Sequence, residues 1–197
     1  MQFLAPLATE RPPDLAVFLD GANDLAVAWE RETYGLLDAT RAETVSFSDE
    51  IRQGRADAAR AMGWEESHDP DRQVRLTAEQ YGAGARLARR AGRRRGVPVL
   101  FFWQPSLRTM PPDAPGNATV YHNLDLDPGS APEYEAVADA AAARSGVDPI
   151  DLTDVFDHAD RPVFFDWAHC NEYGARVQAD AMWGPIDGAL FGAGRSH

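Results

Sequence analysis

Leu15-Ala16-Val17-Phe18-Leu19 is a short, unbroken apolar run that empties into Asp20-Gly21-Ala22-Asn23-Asp24. A run of this kind suits a strand covered on both faces, as in a parallel sheet, and not a half-wet strand of alternating residues. Val97-Pro98-Val99-Leu100-Phe101-Phe102-Trp103 has the same character and ends at Gln104-Pro105. Pro98 fits only near that strand's start, where its missing N–H is tolerated. Val147–Leu152 reads as a third, shorter strand. A helix is expected from Thr77, where Thr77-Ala78-Glu79-Gln80 has the form of a capping box. It runs to Arg93-Arg94-Arg95-Gly96, which places cations in the last turn and a glycine at the stop. Glu133 to Arg144 is expected as a second helix, halted by Ser145-Gly146. A last helix spans about Glu172 to Leu190, broken near Gly184-Pro185. Strands alternating with helices make the chain α/β with a parallel sheet.

The remaining sequence bounds the partners. The 197 residues suit one domain spanning 1–197, with 44% apolar and 25% charged residues. A net charge of −12 argues against a nucleic-acid partner, which needs a basic face. All 19 basic residues are Arg. The one cysteine, Cys170, excludes an internal disulfide framework. No apolar stretch approaches the roughly 20 residues of a membrane span. Met1 to Glu10 lacks the positive start and apolar segment of a secretory signal, and Gln2–Leu7 reads as a helix end feeding a strand. Residues 25–75 are polar and uneven. We read them as a partly helical excursion over one end of the sheet, with Ala56–Met62 helical and Ser67-His68-Asp69-Pro70-Asp71 a loop. Pro111 to about Pro132 reads as a further loop.

Ligands of open parallel sheets sit beyond the carboxyl ends of the strands, where Asp20 to Asp24 falls. Asn23 there is a candidate donor to a developing oxyanion, although Asn23-Asp24 taken alone favours an ordinary turn. Asp166 and His169 stand three apart before the final helix. That spacing lets the carboxylate accept from one imidazole nitrogen and leaves the other as a base. A solvated or capping histidine is the plainer alternative.

Taken in chain order, the two signals resemble the SGNH, or GDSL-like, hydrolases. Gly21-Ala22-Asn23-Asp24 looks like that family's glycine–x–asparagine–aspartate block. Asp166-Trp167-Ala168-His169, with Asn171 and Gly174 behind it, looks like its closing aspartate–x–x–histidine block. The likeness spans Pro13 to about Gly188. It implies a flavodoxin-like three-layer α/β/α fold with strand order 2-1-3-4-5, and an ester or acyl hydrolase without metal or cofactor. The substrate would be a small ester or acylated molecule. His169 would be the base, Asp166 its orienting partner and Asn23 the oxyanion donor, with Gly21 and Asp24 in support.

The family's nucleophile lies in a glycine–aspartate–serine block after the first strand, and a second oxyanion glycine follows the second strand. Both precede the asparagine block, and here the 22 residues before Asn23 contain no serine. The expectation is therefore a domain lacking its first two strands, with Leu15–Leu19 turned into a sheet edge. No setting of the expected kind surrounds Ser46, Ser48, Ser67, Ser106, Ser130, Ser145 or Ser196, and Cys170 reads as an incidental thiol. Two alternatives stand beside this reading. One is a catalytically dead domain that binds a small ligand or protein partner. The other is a metal site at Asp154, Asp157, His158 and Asp160.

Overall fold

The computed structural model describes residues 11–33, 69–111, 113–114, 117–123 and 128–192. The expected helix Ala56–Met62, the reading of Met1–Glu10, most of the 25–75 excursion, and Ser46, Ser48, Ser67 and Ser196 lie outside them. Within them the chain is α/β. Three strands, β1 (Ala16–Asp20), β2 (Val99–Trp103) and β3 (Ile150–Asp151), form a parallel sheet in the order β1-β2-β3. Ala16 pairs with Val99 and Asp20 with Trp103, so the first two strands end together.

β1 takes the outer position. The Ala16 N–H donates to Pro98 and the Asp20 carbonyl accepts from Gln104. In a parallel ladder that parity points the N–H and C=O of Val17 and Leu19 to the opposite edge. Among the described residues no strand pairs with that edge, and Val17 is 39% exposed.

The helices are α1 (Ala22–Thr33), α2 (Pro70–Arg95), α3 (Asn117–Asn123), α4 (Ala131–Arg144) and α5 (Glu172–Phe191). α2 corrects the expected start at Thr77. Asp69 caps the helix by accepting from the Arg72 N–H at 3.2 Å, and Pro70 takes the first turn. Asp-Pro is a loop signal and a helix-start signal alike, because proline's fixed φ suits the first helical position. Thr77 instead lies mid-helix, fully buried. The carboxyl end of α2 follows expectation, with Gly96 left-handed at φ 69° and its N–H bonded to Arg93 and Gly92.

Three further boundaries differ. The third strand shrinks to two residues because Gly146 and Asp148 hold positive φ and Asp151 turns the chain by accepting from the Thr153 N–H. α3 occupies part of the expected loop and is tied down by Tyr121, whose hydroxyl donates to the Leu107 carbonyl at 3.1 Å. α5 runs through Pro185 without a break. Gly184 has no Cβ and so relieves the clash proline imposes on the residue before it.

Two cores result. One packs Phe18, Phe101 and Trp103 of the sheet against α2 and α4 through Tyr81, Ala85, Ala88, Val137 and Ala141. Phe18 stacks on Phe101 at 5.3 Å between centroids, and Tyr81 meets Trp103 edge-on at 4.9 Å. The other gathers Leu107, Met110, Tyr121, Phe156, Val163 and Phe164 beneath the start of α5. α2 approaches α4 closely at Gly82, where a Cβ would lie 2.4 Å from the Ser145 carbonyl oxygen.

Gly21 joins β1 to α1 at φ 115°, and a Cβ there would lie 2.7 Å from the Trp103 indole. Backbone conformation and ring contact both demand glycine. Gly21→Ala is expected to cost about 2–4 kcal/mol through the two penalties together. Urea denaturation followed by tryptophan fluorescence measures it.

Candidate active site

The carboxyl ends of β1 and β2 carry the site. Asp20-Gly21 turns β1 directly into α1, so Asn23 is the second residue of a helix and not part of a free turn. Its side chain is exposed. Gly21 accepts the Leu25 N–H and opens the helix. Asp24 reaches back, its carboxylate bonded to the Gly21 and Asp24 backbone N–H groups and to Gln80. Gly21 and Asp24 thus fix the first turn of α1 and with it the position of Asn23.

Asp166 and His169 form a closed unit. One carboxylate oxygen, Oδ1, accepts the Ala168 N–H at 2.9 Å and the His169 N–H at 2.7 Å. The other, Oδ2, lies 2.7 Å from His169 Nδ1. The spacing of three works because the turn that brings two amides to one oxygen also brings the ring to the second. Burial opposes ionisation of Asp166, yet the two amides and the imidazole hold its carboxyl below the usual carboxylate range. In the neutral ring this fixes the proton on Nδ1 and leaves Nε2 as the acceptor. Phe165 stacks on the imidazole at 5.8 Å and 12°, and both rings are exposed. Asn171 then caps α5 by accepting the Gly174 N–H at 3.0 Å.

Asn23 and His169 share no hydrogen bond among the described residues. Gln104 connects their loops. Its backbone N–H donates to the Asp20 carbonyl at 2.8 Å, and its side-chain amide donates to the Ala168 carbonyl at 3.1 Å. The Leu107 N–H adds a bond to the Trp167 carbonyl at 2.9 Å. The residues that follow β2 therefore tie the histidine loop to the end of β1. The only sign of Gln104's role in the sequence is a long amide following an apolar strand. Phe165 gave none beyond its aromatic type.

The other candidates separate from this unit. Ser106 is buried, with its N–H donating to the Thr109 hydroxyl. Ser145 donates to Ala142 and accepts from Val147. Both side chains are buried away from solvent. Cys170 keeps its proton: burial and the Asp166 charge push its thiol up to about 11. Asp154, Asp157, His158 and Asp160 do not gather, for among the described residues no three His, Cys, Asp or Glu side chains could hold a metal ion. No helix among the described residues is long and apolar enough to cross a membrane.

Because the Asp166 carboxyl is held below its ordinary value, its ionised form stabilises the loop above about pH 4. That contribution is lost as pH falls through the lowered folded value. Asp166→Ala removes it at every pH and frees the ring. Nitrogen-15 spectra of the neutral imidazole should show the Nδ1–H tautomer dominant in the parent protein. In the variant the mixture should shift toward Nε2–H.

Comparison with protein-family models, with curated proteins and with solved structures finds no match to this chain.

Proposed function

We propose that this chain carries the base and an oxyanion donor of an SGNH-type hydrolase acting on ester or acyl bonds. The observation that carries the reading is the 2.7 Å contact between His169 Nδ1 and Asp166 Oδ2, on a loop bound to the carboxyl end of a parallel sheet. In this reading His169 Nε2 takes the proton of a serine hydroxyl as it attacks the carbonyl carbon, and returns it to the leaving group. Asp166 holds the tautomer and balances the imidazolium. The exposed Asn23 amide, at the start of α1, donates to the oxyanion. The finer fold, a flavodoxin-like three-layer sheet of SGNH type, belongs to the same proposal.

Among the described residues no serine stands at the imidazole. The reading assigns the nucleophile to a strand laid along the free edge of β1, where the Val17 and Leu19 backbone groups point. A parallel strand there would end beside Asp20 and could deliver a hydroxyl to His169. A domain that binds a ligand or partner without turnover is the second reading, favoured by the absence of a serine at the imidazole among the described residues.

Short-chain p-nitrophenyl ester hydrolysis by the protein as its host makes it separates the two. The hydrolase reading expects turnover blocked by a fluorophosphonate. His169→Ala should lower it about 10²–10⁴-fold, the usual range for a general base. Asn23→Ala should lower kcat about 10²–10³-fold. Turnover indifferent to His169→Ala, or ligand binding with no turnover, would overturn it.

A further inference from the structure

A cavity of about 160 Å³ opens between β1, α1 and α2, on a face that neither Asp166 nor His169 lines. Its apolar side is the stacked pair Phe18 and Phe101, and its polar side is Asp20, Asp24, Gln80 and Tyr81. Two buried polar atoms at its wall, the Tyr81 hydroxyl and Gln80 Oε1, have no hydrogen-bond partner among the described residues. Tyr81 is only 5% exposed. Its hydroxyl lies near enough to both carboxylates for their charges to raise its pKa, after the larger effect of burial. A buried hydroxyl left without a partner costs stability, so this one points to a ligand that satisfies it.

The lining dictates the ligand's chemistry. Two carboxylates, an amide oxygen and a hydroxyl are four acceptors converging on one end, and an ammonium supplies three donors and a compensating charge. The stacked rings at the other end suit an alkyl chain and offer a cation their π-faces. Arg89 already lies over Phe101, 5.2 Å from its centroid, and its guanidinium is tied to the Val147 carbonyl. That leaves the carboxylate end for a second cation. Roughly 150 Å³ accommodates a molecule the size of benzene, so the space holds about five or six non-hydrogen atoms.

We propose that this cavity binds a small primary alkylammonium ion, its head held by Asp20, Asp24, Gln80 and Tyr81 and its chain lying on Phe18 and Phe101. The proposal does not rest on the hydrolase reading, since it uses none of the acyl-transfer geometry and is read by binding alone.

The titratable groups lining the head end are Asp20 of β1, Asp24 of α1 and Tyr81 of α2, and the Arg89 guanidinium over Phe101 acts on Tyr81 through its charge. Burial first, and then the Asp20 charge, push Asp24 up to about 7. A cation selects its ionised form, so binding should tighten as pH rises through that value. The ionised fraction grows roughly tenfold between pH 6 and 8. Tyr81, raised above its ordinary value, stays neutral across that interval.

Isothermal titration with n-butylammonium chloride at constant ionic strength tests this, with 1-butanol as the uncharged control. One saturable site is expected, about tenfold tighter at pH 8 than at pH 6, with no saturable binding of the alcohol. Asp24→Asn should abolish the pH dependence and weaken binding at pH 8 by at least about tenfold. Tyr81→Phe, which removes a hydroxyl without a partner among the described residues, should keep the parent circular dichroism and weaken binding several-fold. No saturable binding of butylammonium at pH 8 would overturn the proposal. So would equal binding of 1-butanol, or affinity unchanged in folded Tyr81→Phe protein.

Discussion

Gln104 donates twice at the carboxyl end of β2, from its backbone to Asp20 and from its side chain to Ala168. Each bond contributes about 1 kcal/mol net, but together they decide where two loops far apart in sequence meet. The first bond closes the β1–β2 ladder one residue beyond the strands, so the turn into α1 starts from a fixed place. The second holds the histidine loop to the same strand end. The loop that carries His169 and the turn that leads to Asn23 are thus anchored to one residue, Gln104.

Burial governs the electrostatics more than net charge does. Asp166 sits where two amides and an imidazole outweigh its partial desolvation, and it is held ionised. Asp24 is on the opposite side of the balance. The Gly21 and Asp24 amides and Gln80 favour its charge, but burial and nearby Asp20 prevail. Two carboxylates, one in α1 and one in the loop before α5, are thus driven in opposite directions. The overall charge of −12 predicts neither.

Much of the frame was legible in the sequence because short apolar runs have few alternatives. The first two strands, the Arg-rich end and glycine stop of α2, and the Asp166–His169 spacing follow from local chemistry. The errors fall where one local signal has two meanings. Asp69-Pro70 served a helix start instead of a loop, and Thr77 proved to be a core residue inside that helix. Pro185 was absorbed by a helix because Gly184 precedes it. The cavity was not legible at all. Gln80 read as part of a capping box and Tyr81 carried no signal of its own, and their meeting with Asp20 and Asp24 depends on how α2 packs beside β1.

Gln104 couples the end of β1 to the histidine loop. Amide hydrogen exchange in Gln104→Ala reads that coupling. Loss of the bond to Ala168 should speed exchange of the Leu107 and His169 amides by roughly threefold to tenfold, the equivalent of about 1 kcal/mol. The β2 amides bonded to β1 should keep their protection. Unchanged exchange at Leu107 and His169 would contradict the coupling and leave the histidine loop held by its own contacts alone.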